Sequence, residues 1–268
     1  MPRLSLEIVA RTDAGRVRAL NEDRVSFDEE LGLAILADGM GGQAAGSRAA
    51  EMAVDVVATE VNRVLRALKT TPAKNENFTV SVALREGANK ANRAIRDAAQ
   101  AEERCRDMGT TLTAAVFAEN SVTVAHVGDS RLYRLREGKL TLLTRDHSLL
   151  QEQLEVAAMS REAARYSHNR HLVSRALGMD PEVKLDLKTE ALMAGDLYLL
   201  CSDGLNDMVD DDDIELVLSL LKCNLALAAS QLIMIARDQG GHDNISVVLA
   251  HARPKAKSWL ARLTRGLR

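Results

Sequence analysis

The sequence predicts an α+β fold built on antiparallel sheets, and three observations carry that expectation. Strand-like apolar runs cluster together along the chain. Segments with helical spacing come in two pairs, not one for one with the strands. The resulting order is strands, two helices, strands, an irregular region, strands, two helices and a last strand. A doubly wound parallel sheet needs a crossover between successive strands, and this order does not supply it.

Each element has its own signal. Val25-Ser26-Phe27 is a short strand. Leu33 to Ala37 and Leu197 to Cys201 are apolar runs that each lead into an Asp-Gly pair. Thr111 to Phe117, Val122 to Val127 and Ile245 to Leu249 combine β-branched residues with strand-length apolar runs. Ala50, Val54, Val57, Val61, Val64 and Leu68 recur at steps of three and four, as do Val80, Leu84, Ala88, Ala91, Ile95 and Ala98. Pro72 and its polar neighbours mark a loop between these helices, over Lys69 to Asn77. A second pair is expected at Asp211 to Leu221 and Leu225 to Arg237. No internal repeat or low-complexity segment is present.

Composition sets limits on function. With 268 residues, 46% hydrophobic but only 3% aromatic, the core must be built from Val, Leu, Ile and Ala. A formal charge of −3 argues against general nucleic-acid binding. The three cysteines, Cys105, Cys201 and Cys223, have no paired spacing and read as reduced thiols of a cytoplasmic protein. The first residues carry no long apolar region, so no signal peptide is expected. No run approaches ~18 apolar residues, so no membrane span is expected. Six of the 35 basic residues and none of the 38 acidic ones lie in the last sixteen, so the body without them carries −9. We divide the chain into a body over 1–252, with a polar, weakly patterned stretch at 147–178, and a basic tail over 253–268.

Five acidic motifs lie far apart: Arg18-Ala-Leu-Asn-Glu22-Asp23, Asp38-Gly39-Met40-Gly41-Gly42, Gly128-Asp129-Ser130-Arg131, Ser202-Asp203-Gly204 and Asp243-Asn244. Most adjoin strand-like runs. Many acids at strand ends repel one another unless a cation offsets them. Carboxylates and backbone carbonyls are hard oxygen ligands that suit Mg²⁺ or Mn²⁺. Two such ions can activate a water for in-line attack on phosphorus. Asp38 is the candidate bridging ligand, and Gly39 lets its own carbonyl approach a metal without a side-chain clash. Asp203 and Asp243 would complete one ion's shell and Glu22 the other's. Arg18, four residues before Glu22, could hold two phosphate oxygens with its planar fork. Each motif alone is weak, since Asp-Gly is usually a turn; the ordered set is what points to metal and phosphate.

With Ala37 added before Asp38, Gly109-Thr110-Thr111 and Val127 before Gly128, the ordered set resembles the metal-dependent protein phosphatases (PPM, or type 2C) over about residues 5 to 251. Asp146-His147-Ser148 fits the compact bacterial branch. The resemblance implies a four-layer α/β/β/α sandwich, two central antiparallel sheets flanked by helix pairs. It implies hydrolysis of phosphoserine and phosphothreonine on proteins by a metal-bridging water. Asp38 would bridge two Mn²⁺ or Mg²⁺ ions, with Gly39, Asp203, Asp243 and Glu22 as further metal ligands. Asp23 would orient the water and Arg18 would bind the substrate phosphate. Asp129, with Asp203, matches a weaker third ion. Met40 stands where many animal members have a proton-donating His, so a water on the third ion is the expected donor. The stretch at 147–178 matches a flap beside the active site. A monomer is expected, acting on phosphoproteins opposite a Ser/Thr kinase.

Blander readings sit beside these. His126 alternates with Val122 and Val124 and reads as a packed, hydrogen-bonded histidine. His147 reads as orienting a loop, and His242 as shaping a turn. Asp210 to Asp213 precede a helix, where N-capping and the helix dipole explain them. Trp259, Leu260, Leu263 and Leu267 have helical spacing beside Arg262 and Arg265. The tail is therefore either an amphipathic helix on anionic lipid or a partner, or a solvated extension, and we favour the latter. No cysteine precedes an arginine at the spacing of a cysteine-nucleophile phosphatase, and no Gly-x-Ser-x-Gly elbow is present. Two other functions remain: a phosphatase dedicated to a serine-phosphorylated anti-sigma-factor antagonist, and a pseudophosphatase that only binds. The second would have lost a metal carboxylate, yet Asp38, Asp203 and Asp243 are all present.

Overall fold

The computed structural model describes residues 4–41, 45–156 and 172–254. Among them, two five-stranded antiparallel sheets lie face to face. One has the order β1 (Leu4–Asp13), β12 (Ile245–Pro254), β11 (Leu197–Cys201), β8 (Arg131–Arg136), β9 (Lys139–Leu142). The other runs β10 (Asp186–Ala191), β7 (Ser121–Val127), β6 (Leu112–Phe117), β3 (Leu33–Ala37), β2 (Arg24–Asp28). A two-stranded ribbon, β4 (Gly39–Met40) with β5 (Gly109–Thr110), continues from β3. Helices α1 (Ala45–Thr70) and α2 (Glu76–Ala101) cover the second sheet; α5 (Asp211–Leu221) and α6 (Leu225–Asp238) cover the first. Two short helices, α3 (Leu149–Glu155) and α4 (Asp203–Asn206), follow β9 and β11.

The strand sequences dictate this layering. Successive side chains on a strand point to opposite faces, so a strand buried on both faces must be apolar throughout. In β3, Leu33, Ile35 and Ala37 pack towards α1 and α2, while Ala34 and Leu36 meet the other sheet. In β11, Leu197, Leu199 and Cys201 face α5 and α6, while Tyr198 and Leu200 face the inter-sheet core. Three apolar clusters therefore separate four layers: helices, sheet, sheet, helices. Phe117 and Tyr198 meet edge to face across the middle, ring centroids 5.1 Å apart.

The expected helices form. Asn75 and Asn224 cap α2 and α6 by accepting from Phe78 N and Leu227 N. Asp210 occupies the N-cap position of α5, but its side chain makes no capping hydrogen bond. The benefit of the acids there comes from the helix dipole, and Asp211 accepts from the Tyr133 hydroxyl at 2.9 Å. In the two large sheets, four strands had no separate sequence signal: β1, β8, β9 and β10. The edge strand β10 alternates Lys188 and Glu190 with Leu187 and Thr189 and has no buried residue, so its pairing with β7 comes from the backbone. Around the 147–178 stretch, Ser148 bridges Val173 and Thr110 bridges Leu177; residues 157–171 lie outside the described residues. So does the tail beyond Pro254, including Trp259.

Candidate metal centre

Antiparallel order brings the acidic motifs to one end of the sandwich. Asp38 follows β3, Asp129 follows β7, Asp203 follows β11, Asp23 precedes β2 and Asp243 precedes β12. A pocket of about 580 Å³ at this end is lined by Arg18, Glu22, Asp38, Gly39, Asp129, Asp203, and Asp243. Asp207 and Met40 line it too, with Leu172 and Val173 from the 147–178 stretch. A slightly larger cavity, about 620 Å³, opens beside α2 near Arg96 and Met179, away from the acids.

The loops are held by backbone-directed polar contacts. Thr110 Oγ1 and Thr111 N both donate to the Asp38 carbonyl, at 2.8 Å each. Asp38 N donates to Thr111 Oγ1 at 2.9 Å. Asn244 binds the N-terminal segment: its Oδ1 accepts from Glu22 N, and its Nδ2 donates to Ala14 O and Leu20 O. A Cβ on Gly39 would sit 2.2 Å from the Gly46 carbonyl oxygen, and one on Gly204 would sit 2.0 Å from that of Asn244. These two approaches leave room for glycine only. Thr110, Thr111, Asn244 and Ser202 position the site, a role their motifs contained but did not reveal from type alone.

Asp23 does not line the pocket. It lies behind it, 1% exposed. Its Oδ2 accepts from Ser202 Oγ at 2.8 Å, whereas Oδ1 has no hydrogen-bond partner among the described residues. Burial, partly offset by serine hydroxyls, pushes its carboxyl up to about 6. Burial and then the charges of Asp23, Asp203 and Asp129 hold Asp38 well above the ordinary carboxylate range. Asp203 is raised the same way, by burial and by Asp129, Asp207 and Asp243. Asp129 is pushed up to about 7, by burial and then Asp146. Arg18 donates from Nη2 to Asp243 Oδ2 at 2.7 Å, and this contact raises its already high pKa.

Among the described residues, six carboxylates share the pocket with a single guanidinium. The donors are oxygens, the buried Asp23 Oδ1 is unpartnered, and the acids destabilise one another's charge. That combination fits hard divalent cations. Among the described residues, no three acidic, cysteine or histidine side chains are already drawn into a coordination sphere. The acids converge on one pocket, not on one point. The shared pocket and the mutual repulsion still fit such cations, because side chains reorient on binding far more readily than strand ends move.

His126 and His147 behave as packing groups. His126 pairs through Nδ1 with Thr113 Oγ1 and through Nε2 with the Arg145 carbonyl, and burial pulls it down to about 4. Its ring lies 5.0 Å from that of His147. His147 accepts from Gly128 N, its own N–H donates to the Gly128 carbonyl, and its Nε2 meets Asp186. It thereby orients the loop carrying Asp129. His242 sits at the pocket rim.

Residues 14–231 match the family model described as Protein phosphatase 2C. The chain is 38% identical over 242 residues to the serine/threonine phosphatase stp of Listeria monocytogenes, covering 89% of this chain and 93% of that protein. The crystal structure of the Mycobacterium tuberculosis serine/threonine phosphatase PstP superposes with a TM-score of 0.81 at 38% identity, over 92% of this chain and 99% of that one. A structure of the PstP catalytic domain in complex with two manganese ions gives a TM-score of 0.79 at 38% identity, over 93% and 99%.

Proposed function

The chain belongs to the protein phosphatase 2C family and is a protein serine/threonine phosphatase; from that premise we propose that it works with two divalent cations held at the acidic pocket. The observation that carries the proposal is the excess, among the described residues, of mutually repelling carboxylates over one arginine at a single mouth. The manganese pair of the PstP structure supports it. Asp38, the Gly39 carbonyl, Glu22, Asp203 and Asp243 would hold the two ions, and Asp129 with Asp203 would hold a weaker third. When bound, Mn²⁺ or Mg²⁺ lowers the pKa of water and offsets phosphate charge.

This chain's own residues do the rest. Arg18 stands at the mouth, where its planar fork can take two phosphate oxygens in place of the Asp243 carboxylate. Asp23 offers a buried acceptor, Oδ1, to orient the attacking water. Met40 has no proton to give, so assistance to the leaving alkoxide falls to the Asp129 side of the pocket. Substrates are proteins phosphorylated by a serine/threonine kinase, and the compartment is the cytoplasm.

The test is hydrolysis of a phosphothreonine peptide with and without Mn²⁺, on the unmodified chain, Asp38→Asn and Asp129→Ala. Metal-dependent turnover that Asp38→Asn abolishes and Asp129→Ala slows is expected. Robust turnover in excess chelator would overturn the metal role; unchanged turnover of Asp129→Ala would remove its part in leaving-group departure.

A further inference from the structure

At the end of the sandwich remote from the acids, a groove of about 420 Å³ runs between the start of β1, the β2–β3 turn and the facing ends of α1 and α2. Leu6, Leu31, Leu65, Leu68 and Val80 form its apolar lining. Glu29, Glu30, Glu76 and Glu119 line it as well, all four exposed. Among the described residues, the one cation in the lining, Lys69, donates to the Glu30 carbonyl. The groove is therefore apolar inside and acidic at its edge.

The chain itself leads into this groove. Pro254, the last residue of β12, pairs with Leu4, and both Leu4 and Ala252 line the groove. The residues that follow, 255–268, contain Lys255, Lys257, Arg262, Arg265 and Arg268, with no acid. Trp259, Leu260 and Leu263 are spaced to share one helical face. Trp259 is five positions past Pro254, a reach of at most about 17 Å at full extension.

We propose that residues 255–268 dock in cis into this groove, with Trp259 and Leu263 on the apolar lining and the arginines against Glu76 and Glu119. Apolar burial supplies the attraction, and opposite charge fixes the orientation. The occupant is this chain's own segment and not a lipid surface, because the acidic edge repels anionic headgroups while it attracts the tail. Docking leaves the catalytic pocket untouched, so the inference stands apart from the metal proposal.

Trp259 is the only tryptophan, so intrinsic fluorescence of the full chain reads the docking directly. The expected result is blue-shifted emission with low acrylamide quenching, unchanged across a wide range of protein concentration. The double variant Glu76→Lys/Glu119→Lys should shift emission to the red and raise quenching several-fold. Arg262→Glu/Arg265→Glu, which changes only the tail, should do the same. Emission unmoved by either double variant overturns the proposal. So does blue-shifted emission that is lost on dilution, which would assign the groove to a second copy. Solvent-like emission that shifts only when phosphatidylserine vesicles are added would assign the tail to lipid, and also overturns it.

Discussion

Strand β11 has a carboxylate at each end, and the two are treated in opposite ways. Asp196, just before the strand, is 1% exposed. Arg136 grips it with two hydrogen bonds, at 2.7 and 2.6 Å, and Met193 N and the Tyr198 hydroxyl add to them. Asp203, just after the strand, faces Asp129, Asp207, Asp243 and Asp23, and its carboxyl is held well above the ordinary range. The first end is internally compensated and serves the fold. The second accumulates like charge that the protein does not offset by itself, and it serves chemistry. A buried acid becomes informative about function when its compensating charge lies outside the chain.

Three measurements can break or sharpen this contrast. The largest effect is expected for Asp203→Asn. Loss of a ligand should reduce phosphopeptide turnover by more than the roughly 10–100-fold typical of groups that only support ligands. Resistance to urea without metal should hold or rise, because a repelling charge has gone. A variant that unfolds more easily in chelator would show that Asp203 stabilises the fold as Asp196 does. Second, Asp196→Ala should lower unfolding free energy by about 3 kcal/mol, towards the low end for a broken buried pair because Arg136 keeps some solvent contact. Its activity per folded molecule should be unchanged. Third and smallest is a pH effect. Asp23 and Asp129 sit at about 6 and about 7 in the folded chain, above the ordinary 3.8. The folded state therefore binds more protons between about pH 4 and 7, and these groups make stability fall as pH rises across that window. Urea midpoints in chelator, compared between the unmodified chain and Asp129→Asn, should show a shallower fall in the variant. Identical slopes would mean that Asp129 is not strained.

The same contrast explains what could be read from sequence. The strands β3 and β11 were legible to the residue because burial on both faces forces an unbroken apolar run. The acids were legible because six carboxylates at strand ends have few structural reasons to be there. β8 was hidden because Arg131 and Arg134 interrupt its apolar residues. Arg131 is instead neutralised by Asp146, fifteen residues away, at 2.7 Å, and no local pattern announces that partner. β9 and β10 lie at sheet edges, where exposure removes the hydrophobic signal. The supports of the site, Thr110, Thr111, Ser202 and Asn244, act on backbone groups distant in sequence. A hydroxyl or amide carries no sign of which carbonyl it will meet.

One pairing has a consequence in time. Asp13 lies opposite Ile245 and Leu4 opposite Pro254, so β1 waits for the final strand before it can take its place. Such distant pairing slows folding and lengthens exposure of partly formed sheets. Glu22 N is held by Asn244, so a ribosome-bound fragment that ends before that residue lacks the groups that close the centre.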